Sequence, residues 1–180
     1  MQLYRFSPIQ NKEQLLQAIH HIHYACYKLC ETVRWGYMQS NGNMGVFCHY
    51  DDEYDRLIEL RQEMTDGTSD NPHQKYFPLH QPIVIPAKDD IPETTYTHLY
   101  IRKPDPYRHH VGDIDFSLPD DYYQVVKKGI ATDPSPWIRF FPATNIDMVE
   151  LYHPDSDVLA YISTIETGLA VRVTTTKALS

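Results

Sequence analysis

Between residues 96 and 119 the chain reads Y-T-H-L-Y-I-R-K-P-D-P-Y-R-H-H-V-G-D-I-D-F-S-L-P, and the period of this stretch limits the fold more than any other. Over 95–102 the alternation is two, so His98, Tyr100 and Arg102 point one way and Leu99 and Ile101 the other. Lys103-Pro104-Asp105-Pro106 interrupts the strand, because proline has no amide hydrogen for a ladder. A second alternation follows. Asp113, Asp115 and Ser117 share one face, and Ile114, Phe116 and Leu118 share the other. The stretch predicts two neighbouring antiparallel strands whose polar face gathers His98, Tyr100, Arg102, Asp113 and Asp115. An antiparallel pair with a solvated polar face gives the same pattern, so the alternation alone does not make a site.

The rest of the chain supplies enough mass for one core: 180 residues, 42% hydrophobic, read as a single domain spanning 1–180. Net charge is −8, which disfavours nucleic acid and anionic membrane surfaces, although Arg102, Lys103, Arg108, His109 and His110 form a local basic cluster. No run of about 18 apolar residues spans a membrane, and the N-terminal M-Q-L-Y-R-F-S-P has no signal-peptide core. Three cysteines, an odd number, fit reduced thiols and a cytoplasmic location. Fourteen tyrosines suit pockets and interfaces, and a homodimer is an expected assembly.

Asn11 is placed to cap a helix over 12–34 whose buried stripe is Leu15, Ile19, Ile22, Cys26, Leu29 and Val33. His23, Cys26 and Cys30 lie along that helix at metal-ligand spacing, but buried cysteines usually serve as small apolar residues. Asp51 or Asp52 is expected to cap a helix ending near residue 65, and 66–72 reads as an exposed, flexible loop. Three prolines in 75–86 predict an edge strand. A helix is predicted from Pro119 to about Lys128, stopped by Gly129. Strands follow at 137–141 and at 147–152, the latter with Met148, Glu150 and Tyr152 on one face, and 158–164 is a closing strand or a short helix. The tail from Val171 continues as a strand or hangs free. This order predicts an α+β fold: a curved, mostly antiparallel sheet with helices on one side.

L-H-Q-P-I at 79–83, P-D-P-Y-R-H-H at 104–110, D-I-D-F-S-L-P at 113–119 and M-V-E-L-Y at 148–152 occur in an order that resembles the YecM-type proteins of the vicinal-oxygen-chelate group, which includes glyoxalases and ring-cleaving dioxygenases. The resemblance covers about 11–161. It implies two βαβββ-like halves curled into a cup whose His and Glu side chains hold a divalent metal. This sequence departs from the family pattern. The expected strand His falls at Met44, the acid after the L-H pair is Gln81, and the second-strand His is Asp113. A mixed metal set of His80, His98, Asp113, Asp115 and Glu150 is what remains.

Three functions stay open. The first expectation is a small-ligand-binding cup with a degenerate metal site, in which His98, Tyr100, Arg102, Asp115 and Tyr152 grip a small molecule. The second is a metal-dependent lyase, isomerase or oxygenase-like enzyme acting on a small oxygenated substrate. The third is an acidic protein–protein interaction module. A divalent metal is the cofactor under the second reading, and none is needed under the others. No Walker A loop, C-x-x-C, H-E-x-x-H or G-x-S-x-G motif is present to choose between them.

Overall fold

A computed structural model describes residues 4–33, 35, 38–66, 74–105, 107–141 and 146–173. Its elements run α1 (Lys12–Thr32), β1 (Gln39–Phe47), α2 (Asp51–Met64), β2 (Phe77–Ile85), β3 (Thr94–Arg102), β4 (Gly112–Leu118), α3 (Asp120–Thr132), β5 (Ile138–Phe140), β6 (Val149–Leu151), β7 (Val158–Thr164) and α4 (Ile165–Ala170). The fold is α+β, as the sequence predicts. One seven-stranded sheet has the order β2-β3-β1-β4-β7-β6-β5. Four of its six pairings are antiparallel; β1–β3 and β4–β7 are parallel.

The expected hairpin is the main correction. β3 and β4 are not neighbours, because β1 lies between them, parallel to β3 and antiparallel to β4. The connection carrying Lys103 to His110 therefore bridges across a strand instead of making a tight turn. A parallel partner for β3 requires a crossover, and α2 supplies it. The sheet thus consists of β1-α2-β2-β3 beside β4-α3-β5-β6-β7, with β1 and β4 meeting at the centre. The second half is βαβββ. The first carries one strand fewer among the described residues.

The outer face of the sheet holds the main core. Met44, Val46, Leu99, Ile101, Ile114, Phe116, Val158, Ala160 and Ile162 are buried there with the α1 stripe of Leu15, Ile19, Ile22, Cys26 and Leu29. Each of the larger aliphatic and aromatic side chains among these contributes about 1.5–3 kcal/mol when fully buried. Asn11 caps α1: its Oδ1 accepts the Gln14 amide at 2.9 Å, while Gln14 Oε1 accepts the Gln10 amide at 2.7 Å. His23 and Cys26 belong to this core. The His23 ring meets the Tyr96 hydroxyl at 2.8 Å, and Cys26 donates to the Leu159 carbonyl at 3.2 Å.

Two helix boundaries differ from expectation. Tyr50, not Asp51 or Asp52, occupies the N-cap of α2, and its side chain makes no cap bond. Glu53 takes over that end, accepting the Ile9 amide and the His49 amide, each at 2.8 Å. α3 runs through Gly129 to Thr132, since nothing within 4 Å of that glycine requires its missing side chain. β2 lies at a sheet edge, as its prolines demand. Of the expected loop at 66–72 and the tail from Val171, only Asp66 and Val171 to Val173 fall within the described residues.

The inner face is covered at one end. The short helix α4 lies against β1, β4 and β7, and Asn43 Nδ2 donates to the Gly168 carbonyl at 2.9 Å. The Lys75 and Tyr76 amides both donate to the Arg172 carbonyl, at 2.9 and 3.1 Å, which ties the start of the β2 segment to the end of the chain.

Candidate functional site

Strand register lines up a row of polar side chains across the inner face. His98 pairs with Asn43, Asp115 with Tyr161, Tyr161 with Glu150, and Glu150 with Arg139. Asn43 Nδ2 joins the two central strands by donating to Asp115 Oδ2 at 3.0 Å. Side-chain bonds also run along the far end of the row. Tyr161 donates to Glu150 Oε2 at 2.9 Å, and Arg139 Nε donates to Glu150 Oε1 at 2.6 Å. Glu150 is thus a buried, fully engaged carboxylate, 1% exposed. The next row holds Tyr100, Gly45 and Asp113, in register across β3, β1 and β4.

Above these rows lies a cavity of about 210 Å³. Asp113, Asp115 and Tyr161 reach it from the sheet, Phe47, Phe141 and Met148 form apolar wall, and Tyr100, Arg102, Arg108 and Lys75 complete the lining. A wider hollow of about 600 Å³ shares Lys75, Tyr100, Ile146 and Val171 with it. Asp105 holds two of the cations, with Arg102 Nη2 at 2.6 Å and Arg108 Nε at 3.5 Å. The Arg102 guanidinium lies 4.5 Å from the centre of the Phe47 ring. Lys75 Nζ lies 5.1 Å from the Tyr76 ring centre and 4.9 Å from that of Tyr100, at cation–π range.

The electrostatics of the floor follow from burial. Asp113 and Asp115 sit two residues apart on one strand face, both away from water. Burial, then the neighbouring Asp115 charge, pushes Asp113 up to about 7, and Lys75 and Arg102 only partly oppose this. Burial also raises Asp115, but Lys75 and hydrogen bonds from Asn43 and Tyr76 pull it back. Burial, followed by the Asp113 charge, lifts Tyr100 to about 12. Tyr161 is raised further by burial and by Asp113 and Glu150.

The residues named from sequence separate into three groups. Tyr100, Arg102, Asp113 and Asp115 line the cavity, and Glu150 stands behind it through Tyr161. His98 shares the Asp115 row but does not line the cavity; burial, then Arg172, lowers it to about 4. Tyr152 packs beside the inner apolar cluster and donates to the Pro136 carbonyl. His80 is out of place for the expected metal set. It is exposed, lies 2.8 Å from Asp66, and lines a separate hollow with Lys12, Leu16 and Glu63. The β2–β3 register slips between Pro78 and Ile83, so strict alternation does not carry across this edge. Sequence reasoning missed the polar lining residues Lys75, Arg108 and Tyr161 and the apolar wall of Phe47, Phe141 and Met148. Arg108 was visible only within the basic cluster, and Tyr161 only as part of the segment at 158–164.

The donors present do not fit a resident metal ion. Among the described residues no group of three or more His, Cys, Asp or Glu side chains is placed to hold one. Glu150 is engaged by Arg139 and Tyr161, His80 is elsewhere, and three cations share the cavity with Asp113 and Asp115.

No protein-family profile matches the sequence, and no curated protein does. The structure is similar to a structural-genomics protein, EC4020, with a TM-score of 0.58 over 94% of this chain and 97% of that one, at 11% identity. At that identity the likeness is one of fold. Two structures of Streptomyces coelicolor methylmalonyl-CoA epimerase in complex with 2-nitronate-propionyl-CoA match with TM-scores of 0.31 and 0.29. Their identities are 18% and 16%, and each match covers 71% of this chain and 98% of the other. At these TM-scores neither the epimerase chemistry nor its ligand transfers to this chain.

Proposed function

We propose that the inner-face cavity binds a small organic anion, and that the protein acts as a ligand-binding cup without a resident metal. One observation carries this reading: Lys75, Arg102 and Arg108 line the same cavity as Phe47, Tyr100 and Phe141. Cations beside rings suit a ligand with a charged head and an apolar or aromatic body. Asp105 fixes the two guanidinium groups, so little side-chain freedom is lost when an anion arrives. Lys75 has no carboxylate within 4 Å among the described residues. The metal-enzyme alternative needs donors that the described residues of the inner face do not assemble.

Calorimetric titration of the intact chain with a panel of small carboxylates and phosphate esters tests the reading. Saturable binding that weakens as salt rises is the expected result. Lys75→Met and Arg102→Gln should each weaken it about 10–100-fold, the worth of a charge-assisted hydrogen bond. Binding unchanged in both variants would place the ligand elsewhere.

A further inference from the structure

The floor of the cavity holds a buried oxygen that the fold leaves without a donor. Asp113 is 4% exposed; a backbone hydrogen bond from Gly45 acts on its carboxyl, but its Oδ1 has no partner at hydrogen-bond geometry among the described residues. Asp115, two residues on, receives Asn43 Nδ2 at 3.0 Å and the Tyr76 hydroxyl. The backbone opposite makes room for the unpaired oxygen. Position 45, in register with Asp113, is glycine, and a Cβ there would stand 2.2 Å from Asp113 Oδ1. Buried polar atoms in folded proteins are nearly always paired, so an orphan that borders a cavity is a place where a ligand can donate.

The cavity also separates its charges. Both carboxylates stand on β4, whereas Arg102 and Arg108 converge on Asp105 beyond the end of β3, and Lys75 lies between the two ends, near enough to act on both carboxylates. A simple anion satisfies only the guanidinium end. A ligand carrying both charges satisfies both ends, and its cation relieves the repulsion between Asp113 and Asp115.

We propose that the cavity takes a zwitterionic amino acid with an apolar or aromatic side chain. This deepens the anion-binding reading and rests on it. The ammonium donates to Asp113 Oδ1, the carboxylate is received by Arg102 and Lys75, and the side chain lies against Phe47, Phe141 and Met148. The 210 Å³ volume is below the roughly 300–1,000 Å³ of pockets for drug-sized ligands, which favours a compact molecule, and the adjoining 600 Å³ hollow admits a longer side chain.

The test is calorimetric titration of the full chain with L-phenylalanine and L-leucine, and with three analogues of the first. In 3-phenyllactate a hydroxyl replaces the ammonium, 3-phenylpropionate lacks it, and phenethylamine lacks the carboxylate. Phenylalanine or leucine should bind, and phenylalanine at least about tenfold tighter than any of the three analogues. Asp113→Asn should abolish that preference while leaving phenyllactate binding where it was. Lys75→Met should weaken phenylalanine and phenyllactate alike. Phenyllactate or phenylpropionate binding as tightly as phenylalanine overturns the amino-acid proposal and leaves the anion site standing. So does the binding of another anion when neither amino acid binds. Phenethylamine binding as tightly as phenylalanine, or no anion binding at all, overturns both. The comparison on the unaltered chain decides the matter even if Asp113→Asn fails to fold.

Discussion

Asp113 is held where its charge is costly. Asp115, Tyr76, Tyr100, Tyr161, Lys75 and Arg102 face it from β4, the segment before β2, β3 and β7; burial first, then the Asp115 charge, lifts its folded value to about 7 against an ordinary 3.8, and Lys75, Arg102 and a backbone hydrogen bond from Gly45 oppose this only in part. A carboxyl raised on folding stabilises the native state fully below about pH 4, and that contribution is lost as pH rises through about 7. Asp113→Asn should therefore melt higher than the parent at pH 8, by an amount on the order of 1–3 kcal/mol, with the gap closing by pH 4. Thermal unfolding across that range checks it; an unchanged gap would show that Asp113 titrates normally. Glu150 predicts the opposite. Because Arg139 and Tyr161 both donate to it, Glu150→Ala leaves a buried hydroxyl unpaired and should cost about 1–3 kcal/mol by chemical denaturation. The parity of Asp113, Asp115 and Glu150 was readable from period-two spacing. Their partners were not, since Lys75 lies in a proline-rich segment with no pattern, and its backbone is tied to Arg172 from the far end of the chain.

At the scale of elements, α1 and β4 fit through one close approach. A Cβ on Gly112 would stand 2.4 Å from Ile22 Cδ1 and 2.4 Å from the Gly45 carbonyl oxygen. The second of these is backbone and cannot swing away, so Gly112→Ala should destabilise by about 1–3 kcal/mol. Ile22→Ala opens the same contact from the helix side and should cost about 2–5 kcal/mol. Denaturant midpoints compare the two, and a neutral Gly112→Ala would mean that β4 can shift outward freely. The stripe of α1 was legible because a 3.6-residue period and a capping Asn mark a helix locally. Strand neighbours were not. Nothing in the alternation of β3 or β4 says that β1, from far earlier in the chain, inserts between them. The edge was harder still: Tyr96 bonds His23 on the outer face and Leu99 is buried there too, three residues on. A register slip on one side of β3 undid the simple count.

For the whole molecule, the α+β class was legible because runs of closely spaced strands are separated by few helices, an order that one mostly antiparallel sheet can accommodate. β1 and β4, the first strands of the two halves, pair directly, so neither half ends at an interface of its own. We propose that residues 1–180 unfold as one unit. Melting curves from far-ultraviolet and near-ultraviolet circular dichroism should coincide, and two separated transitions would count against it.

The insertion of β1 also fixes how the chain must be assembled in time. Met44 can meet Ile114 only after a long loop has closed, and β1 meets β3 only after α2 and β2 have been threaded across. Pairings so distant in sequence place folding toward the slow end, roughly milliseconds to seconds. Until they form, β1 and β4 each expose an open edge that any other strand can take. A single nick at Tyr107, 94% exposed in the connection between β3 and β4, would make those edges permanent on two separate pieces. Each piece alone should aggregate, and the two mixed during refolding should recover the sheet.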